Sequence, residues 1–136
     1  MSKHYSSGAE LSAKTLRGVN ILADNVASTL GPRGRTVLLQ RAGRRPFVSK
    51  DGVTVAEHVV LDDPIENAAV QILKQASSQT NALAGDGTTT SMVLARAILR
   101  EAQKHVVAGV APIQVKRALD RATETLIHNL SELATP

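Results

Sequence analysis

Residues 84–99 read AGDGTTTSMVLARAIL. Two glycines flank Asp86, three threonines follow, and an apolar run continues from there. Threonine is a poor helix former, because β-branching restricts its rotamers. Yet Thr88, Thr89 and Thr90 stand where the apolar pattern asks a helix to begin. The first turn of a helix carries unpaired N–H groups and a partial positive charge, and oxyanions are stabilised there. Gly85 and Gly87 remove Cβ atoms, so a bulky ligand can approach the backbone. Three hydroxyls supply more donors than capping needs, since one cap suffices. Asp86 would repel a bare phosphate, but it suits a divalent cation that bridges to one. The stretch is chemically coherent as a magnesium–nucleotide loop. Its plainer reading is a turn followed by a threonine cap. No G-x-x-x-x-G-K-[ST] motif occurs anywhere, so this is not a Walker A loop.

Outward from this stretch the chain reads as helices. The run after Asp86 predicts a helix from Thr88 to about Ala108, closed by Gly109. Between Met92 and Leu99 it is apolar around most of its circumference, which predicts a central, buried helix. Upstream, Asp63-Pro64-Ile65-Glu66 is a helix start: an N-cap aspartate, proline at the first position, and glutamate three residues after the cap. Ile65, Ala69, Ile72, Ala76 and Leu83 form the expected inner stripe of that helix. Downstream, Pro112 starts a last helix with Val115, Leu119, Ala122, Leu126 and Leu133 on one face. Nearer the N-terminus, Leu16, Val19, Leu22, Val26 and Leu30 form another stripe, which Gly31-Pro32 is expected to end. RTVLLQ and FVSK around a glycine-containing turn predict a β-hairpin. DGVTVAEHV fits either a short helix or a strand. The predicted class is mainly α, with four long helices, one hairpin, no repeat and no interior linker.

Composition bounds the function. The 136 residues are 43% hydrophobic and contain no cysteine, so disulfides and thiolate metal sites are excluded. Tyr5 and Phe47 are the only aromatics. No apolar run reaches the roughly 20 residues of a membrane span, and the first ten residues have no signal core. A cytoplasmic location is expected. His4, His58, His105 and His128 have no metal-ligand spacing. Net charge is +4, and Arg33, Arg35, Arg41, Arg44 and Arg45 crowd the hairpin. A basic patch suits nucleic acid, but single-strand binders add stacking aromatics, so a solvated hairpin is the favoured reading.

Two further pieces join the first. SKDGVTV places Asp51 in a turn, where a carboxylate near a γ-phosphate could orient or deprotonate water. TLGPRGR is by itself only a helix end. Taken together, TLGPRGRTVLL, SKDGVTVA and AGDGTTTSMVLARAI, in this order and spacing, resemble the N-terminal part of the equatorial domain of group I chaperonins. LRGVNILADNVASTLGPRGR and GVAPIQVKRALDRA extend the resemblance over about residues 11–136.

The resemblance implies an ATP-driven chaperone that folds polypeptides in a homo-oligomeric double ring with a co-chaperonin. It implies nucleotide contacts at Thr29, Leu30, Gly31, Pro32, Lys50, Asp86, Gly87, Thr88, Thr89 and Thr90. Asp86 would hold Mg2+, Asp51 would serve hydrolysis, and Thr29, Lys50 and Thr89 would adjoin a K+ ion. The hairpin would pair with a neighbouring subunit's terminal strand, of which Tyr5 is the counterpart here. Family subunits are several times longer and usually acidic. Residues 1–136 would thus be a first equatorial segment ending at the hinge to an intermediate domain, and alone would bind ATP weakly. A non-hydrolysing binding module and a nucleic-acid binder are the alternatives, with membranes excluded and nucleic acid the less favoured partner.

Overall fold

The computed structural model describes residues 4–40 and 43–134. The element order is α1 (Gly8–Ala27), β1 (Val37–Leu39), β2 (Phe47–Ser49), α2 (Gly52–His58), α3 (Pro64–Ala84), α4 (Thr88–Val107) and α5 (Pro112–Leu133). The mainly α class and the hairpin are as the sequence predicts. β1 and β2 pair antiparallel, with Leu38 opposite Val48. DGVTVAEHV resolves as helix α2, because Asp51 caps it: its carboxylate accepts from the Val53 and Thr54 amides. Asp63 caps α3 in the same way, through the Ile65 and Glu66 amides. Gly109, at φ 98°, closes α4. There the Gly109 amide donates to Val106 O and the Val110 amide to His105 O, a Schellman pair.

The chain divides into two compact units, Met1–Leu99 and Arg100–Pro136. The first holds the core. Val19, Leu22 and Val26 of α1, Val55 of α2, Val70 and Leu73 of α3, and Met92 of α4 are buried together with Leu39 of β1. All are aliphatic or thioether side chains, as a chain with two aromatics must use. α1 and α3 cross at Gly18, where a Cβ would collide with the Glu66 carbonyl oxygen. Ion pairs tie the same two helices: Lys14 Nζ lies 2.7 Å from Asp63 Oδ2, and Arg17 Nη1 lies 3.0 Å from Glu66 Oε1. Arg96 of α4 pairs with Asp24 of α1.

Three expectations are corrected. α1 ends at Ala27, not at Gly31, because Thr29 and Leu30 turn tightly onto Val26 and Ala27. Gly31 instead sits inside a closed loop. The buried face of α3 is Glu66, Ala69, Val70, Leu73 and Ser77. Ile72 and Leu83 are 68% and 90% exposed. The stripe was rotated because charge at Glu66 and a hydroxyl at Ser77 disguise inward positions that polar partners satisfy. α4 is not buried on all sides: Met92 alone is fully inside, while Leu94 and Ile98 are about half exposed. Its outer face finds no cover among the described residues. In the second unit, α5 keeps its amphipathic pattern but buries no residue. Residues 4–7, around Tyr5, form no strand.

Candidate nucleotide site

Three segments of the first unit meet above Gly52. The glycine is buried. A Cβ placed on it would strike Thr89 Oγ1 and would lie 3.2 Å from Thr29 Oγ1. The hydroxyls of the α1 end, the start of α4 and the backbone at the start of α2 thus converge on one point. Each segment comes from a different one of the three motifs in the sequence.

The first segment is the loop after α1. The Arg35 amide donates to Ser28 O at 2.7 Å and the Gly34 amide to Gly31 O at 2.9 Å, closing the loop on itself. Gly34 allows that closure, because a Cβ there would strike the Thr29 carbonyl oxygen. Gly31 takes φ 78°, a conformation that L side chains rarely adopt. Leu30, Gly31 and Pro32 are exposed along it. The Thr29 hydroxyl donates to Val26 O at 2.7 Å. Its proton is therefore spent, and what it offers a ligand is lone pairs, which suit a cation or a donor.

The second segment joins β2 to α2 through Lys50, Asp51 and Gly52. Lys50 is exposed at the end of β2. Asp51 Oδ2 accepts from the Thr54 amide at 2.9 Å and from the Thr54 hydroxyl at 2.6 Å. Oδ1 accepts from the Val53 amide at 3.4 Å. The Thr54 hydroxyl, then the two amides, hold this carboxyl below its usual range, against a small opposing effect of burial. An ionised carboxylate has about four acceptor directions, and three are used here. One acceptor direction, on Oδ1, is left for a further donor.

The third segment is the loop from α3 to α4. Gly85 (φ 72°) and Gly87 (φ 82°) both take left-handed backbone. Asp86 between them is exposed, and its Oδ1 accepts from the Gly87 amide at 2.6 Å. The second carboxylate oxygen carries no partner among the described residues. Helices α2 and α3 have aspartate caps, but among the described residues the amides of Thr88, Thr89 and Thr90 meet no side-chain acceptor, and their hydroxyls make no hydrogen bond. Ser91 N–H to Gly87 O, at 2.8 Å, is the first backbone bond of the new helix. The loop is fixed from below, since the Ser77 hydroxyl of α3 donates to Thr88 O at 3.0 Å.

Tested against a magnesium nucleotide, these residues fit. The Thr29 and Thr89 hydroxyls are brought together over the bare Gly52 backbone, where a Cβ would displace them, the first turn of α4 has no side-chain cap among the described residues, and Asp86 offers a hard oxygen to a divalent ion. Thr54 and Ser77 escaped the sequence reading. Thr54 had a signal, because it stands three residues after a capping aspartate. Ser77 had none, since nothing local marks a serine that reaches across to another helix.

Residues 22–136 match the family model described as the TCP-1/cpn60 chaperonin family. The chain belongs to this family. The match spans all three converging segments, together with α2, α3, α4 and α5. Members of a chaperonin family assist protein folding, and this chaperonin chain takes that general role from its family. Among the described residues, no helix of the chaperonin is long and apolar enough to cross a membrane.

Proposed function

We propose that this chaperonin chain carries the phosphate half of an ATP site of the group I type, within an equatorial domain. The convergence of Thr29, Gly52 and Thr89 carries the reading. In it, the Thr88–Thr90 amides and hydroxyls take the nucleotide phosphates, with Gly87 giving backbone clearance. Leu30, Gly31 and Pro32 run alongside the nucleotide. Asp86 would hold Mg2+, which supplies charge neutralisation on the phosphates when bound. Thr29, whose hydroxyl proton is committed to Val26 O, would serve a K+ ion with Lys50 and Thr89.

In this reading Asp51 serves hydrolysis, and its hydrogen bonds support one role over another. Hydrogen bonds hold it ionised, which makes it a poor proton acceptor. It orients the attacking water rather than deprotonating it. The ring reading follows from the same family: the β1–β2 hairpin pairs by a strand edge with a neighbouring subunit, and unfolded polypeptide and a co-chaperonin are the further partners. A cytoplasmic site of action goes with it.

The deciding measurement is magnesium-dependent ATP turnover by the complete protein, which would supply the other half of the site, and by its Asp86→Ala variant. The variant is expected to lose turnover by at least about a hundredfold, the scale for removing one transition-state electrostatic contact. Near-normal turnover in the variant would remove the assignment. The basic hairpin favours no separate nucleic-acid role: Phe47 is its only ring, and stacking platforms use several.

A further inference from the structure

Between Gly31 and Lys50 the chain has six cations and no carboxylate. That is more than the net charge of the whole chain, +4, so the remainder is net negative. The structure concentrates part of this charge. Arg44, Arg45, Phe47 and His58 line an open concavity of about 660 Å³ between the hairpin and the end of α2.

Three observations make this more than a solvated charge run. First, the guanidinium groups are uncommitted. Among the described residues no carboxylate pairs with Arg44 or Arg45, although Lys14, Arg17 and Arg96 of the same unit each have one. The neighbouring carboxylate on α2, Glu57, acts electrostatically on Lys74 instead. Second, the floor is organised. The Phe47 and His58 rings meet edge to face, with centroids 5.1 Å apart at 73°. His58 Nδ1 lies 2.8 Å from Thr54 O, so that nitrogen carries a proton and Nε2 is left for other use. Third, the volume falls within the range of small-molecule pockets, about 300–1,000 Å³.

Chemistry selects the ligand. Two adjacent guanidinium forks match the double negative charge and bidentate geometry of a phosphate monoester better than a single carboxylate. An aromatic floor accepts an apolar or planar group attached to that phosphate. A polymer would need a series of rings, and this hairpin has one. We propose that the Arg44–Arg45–Phe47–His58 concavity binds a small phosphate monoester bearing a planar group, at a site separate from the magnesium-dependent loop.

Phenyl phosphate is the probe, titrated calorimetrically into the full chain in EDTA so that no magnesium-dependent site contributes. Inorganic phosphate and benzoate are the other arms, separating the phosphate from the ring. Phenyl phosphate is expected to saturate a single site and to bind at least about fivefold more tightly than either simpler anion, each of which lacks one half of the contact. Arg44→Ser with Arg45→Ser should weaken it at least about tenfold, and the double lysine variant should recover only part, having charge without the fork. These side chains are exposed, so both variants should keep wild-type circular dichroism and melting. Asp86→Ala should leave binding unchanged. Absence of saturable binding, or binding indifferent to the double serine replacement, overturns the proposal. So does a ten-nucleotide RNA that binds far more tightly than phenyl phosphate and is lost on the same replacement, which would make this a polymer surface.

Discussion

The Thr54 hydroxyl donates to Asp51 Oδ2 at 2.6 Å, the shortest of the three bonds that hold this carboxylate. It is also the chief cause of the depressed pKa of Asp51. Thr54→Val keeps shape and removes that bond. The carboxyl then protonates at higher pH, so the acid limb of the ATPase profile should move upward, with kcat falling severalfold and KM little changed. Thr54→Ser should restore both. An unmoved acid limb in the valine variant would mean that Asp51 does not govern that limb.

Gly52→Ala places a methyl group against Thr89 Oγ1, near Thr29 Oγ1. Overpacking of this kind costs about 1–3 kcal/mol. ATP affinity should fall together with the melting temperature. Adding Thr89→Ala should recover stability, because it vacates the contested space, but should not recover affinity. Denaturant melts and ATP titrations of the single and double variants check the non-additivity.

Gly18→Ala is a control in the α1–α3 contact, outside the three candidate loops. Its methyl meets the Glu66 carbonyl where α1 crosses α3, and backbone cannot step aside as a side chain can. A loss of about 1–3 kcal/mol in chemical denaturation is expected. Turnover per folded molecule should stay within about twofold, because ΔΔG values of well-separated sites add.

Asp63 is held down to about 2 by the Lys14 ammonium first and by the Glu66 and Ile65 amides after it. A carboxyl with a depressed folded-state pKa stabilises the fold above its unfolded value, near 4. That contribution is lost as pH falls through the folded value, so melting temperature should drop between about pH 4 and pH 2. Asp63→Asn keeps a competent cap but removes the charge. Its melting curve should be flatter over that interval, and an unchanged slope would assign the acid sensitivity elsewhere.

Much of the first unit was legible in the sequence because its signals are local. Asp63-Pro64 announces α3, and the β-prone runs around the Gly43 turn announce the hairpin; in the second unit, Gly109 announces the end of α4. The glycines of residues 85–90 announce the left-handed turn that separates α3 from α4. What stayed hidden depends on tertiary partners. Glu66 and Ser77 look like solvent positions until Arg17 and the Thr88 carbonyl satisfy them. Ile72 looks like core, yet it borders an apolar groove of about 280 Å³ beside Leu73 and Leu99. The apolarity of α4 predicts burial on all sides, yet Leu94 and Ile98 are about half exposed, because composition around a helix does not say which of its faces meet a partner. Gly52 reads as an ordinary turn glycine until Thr89 is seen resting on it.

α5 is a 22-residue helix without one buried side chain. Its hydrogen bonds are held by local energetics, and isolated helices of modest length are marginal in water. The consequence concerns time rather than shape. Amide protons along Pro112–Leu133 should exchange with solvent orders of magnitude sooner than those of α1 around Leu22 and Val26, whose opening requires disruption of the common core. Deuterium uptake would therefore proceed at two tempos within one polypeptide, and a binding partner that slows the faster tempo would be one that seats on the apolar face of α5.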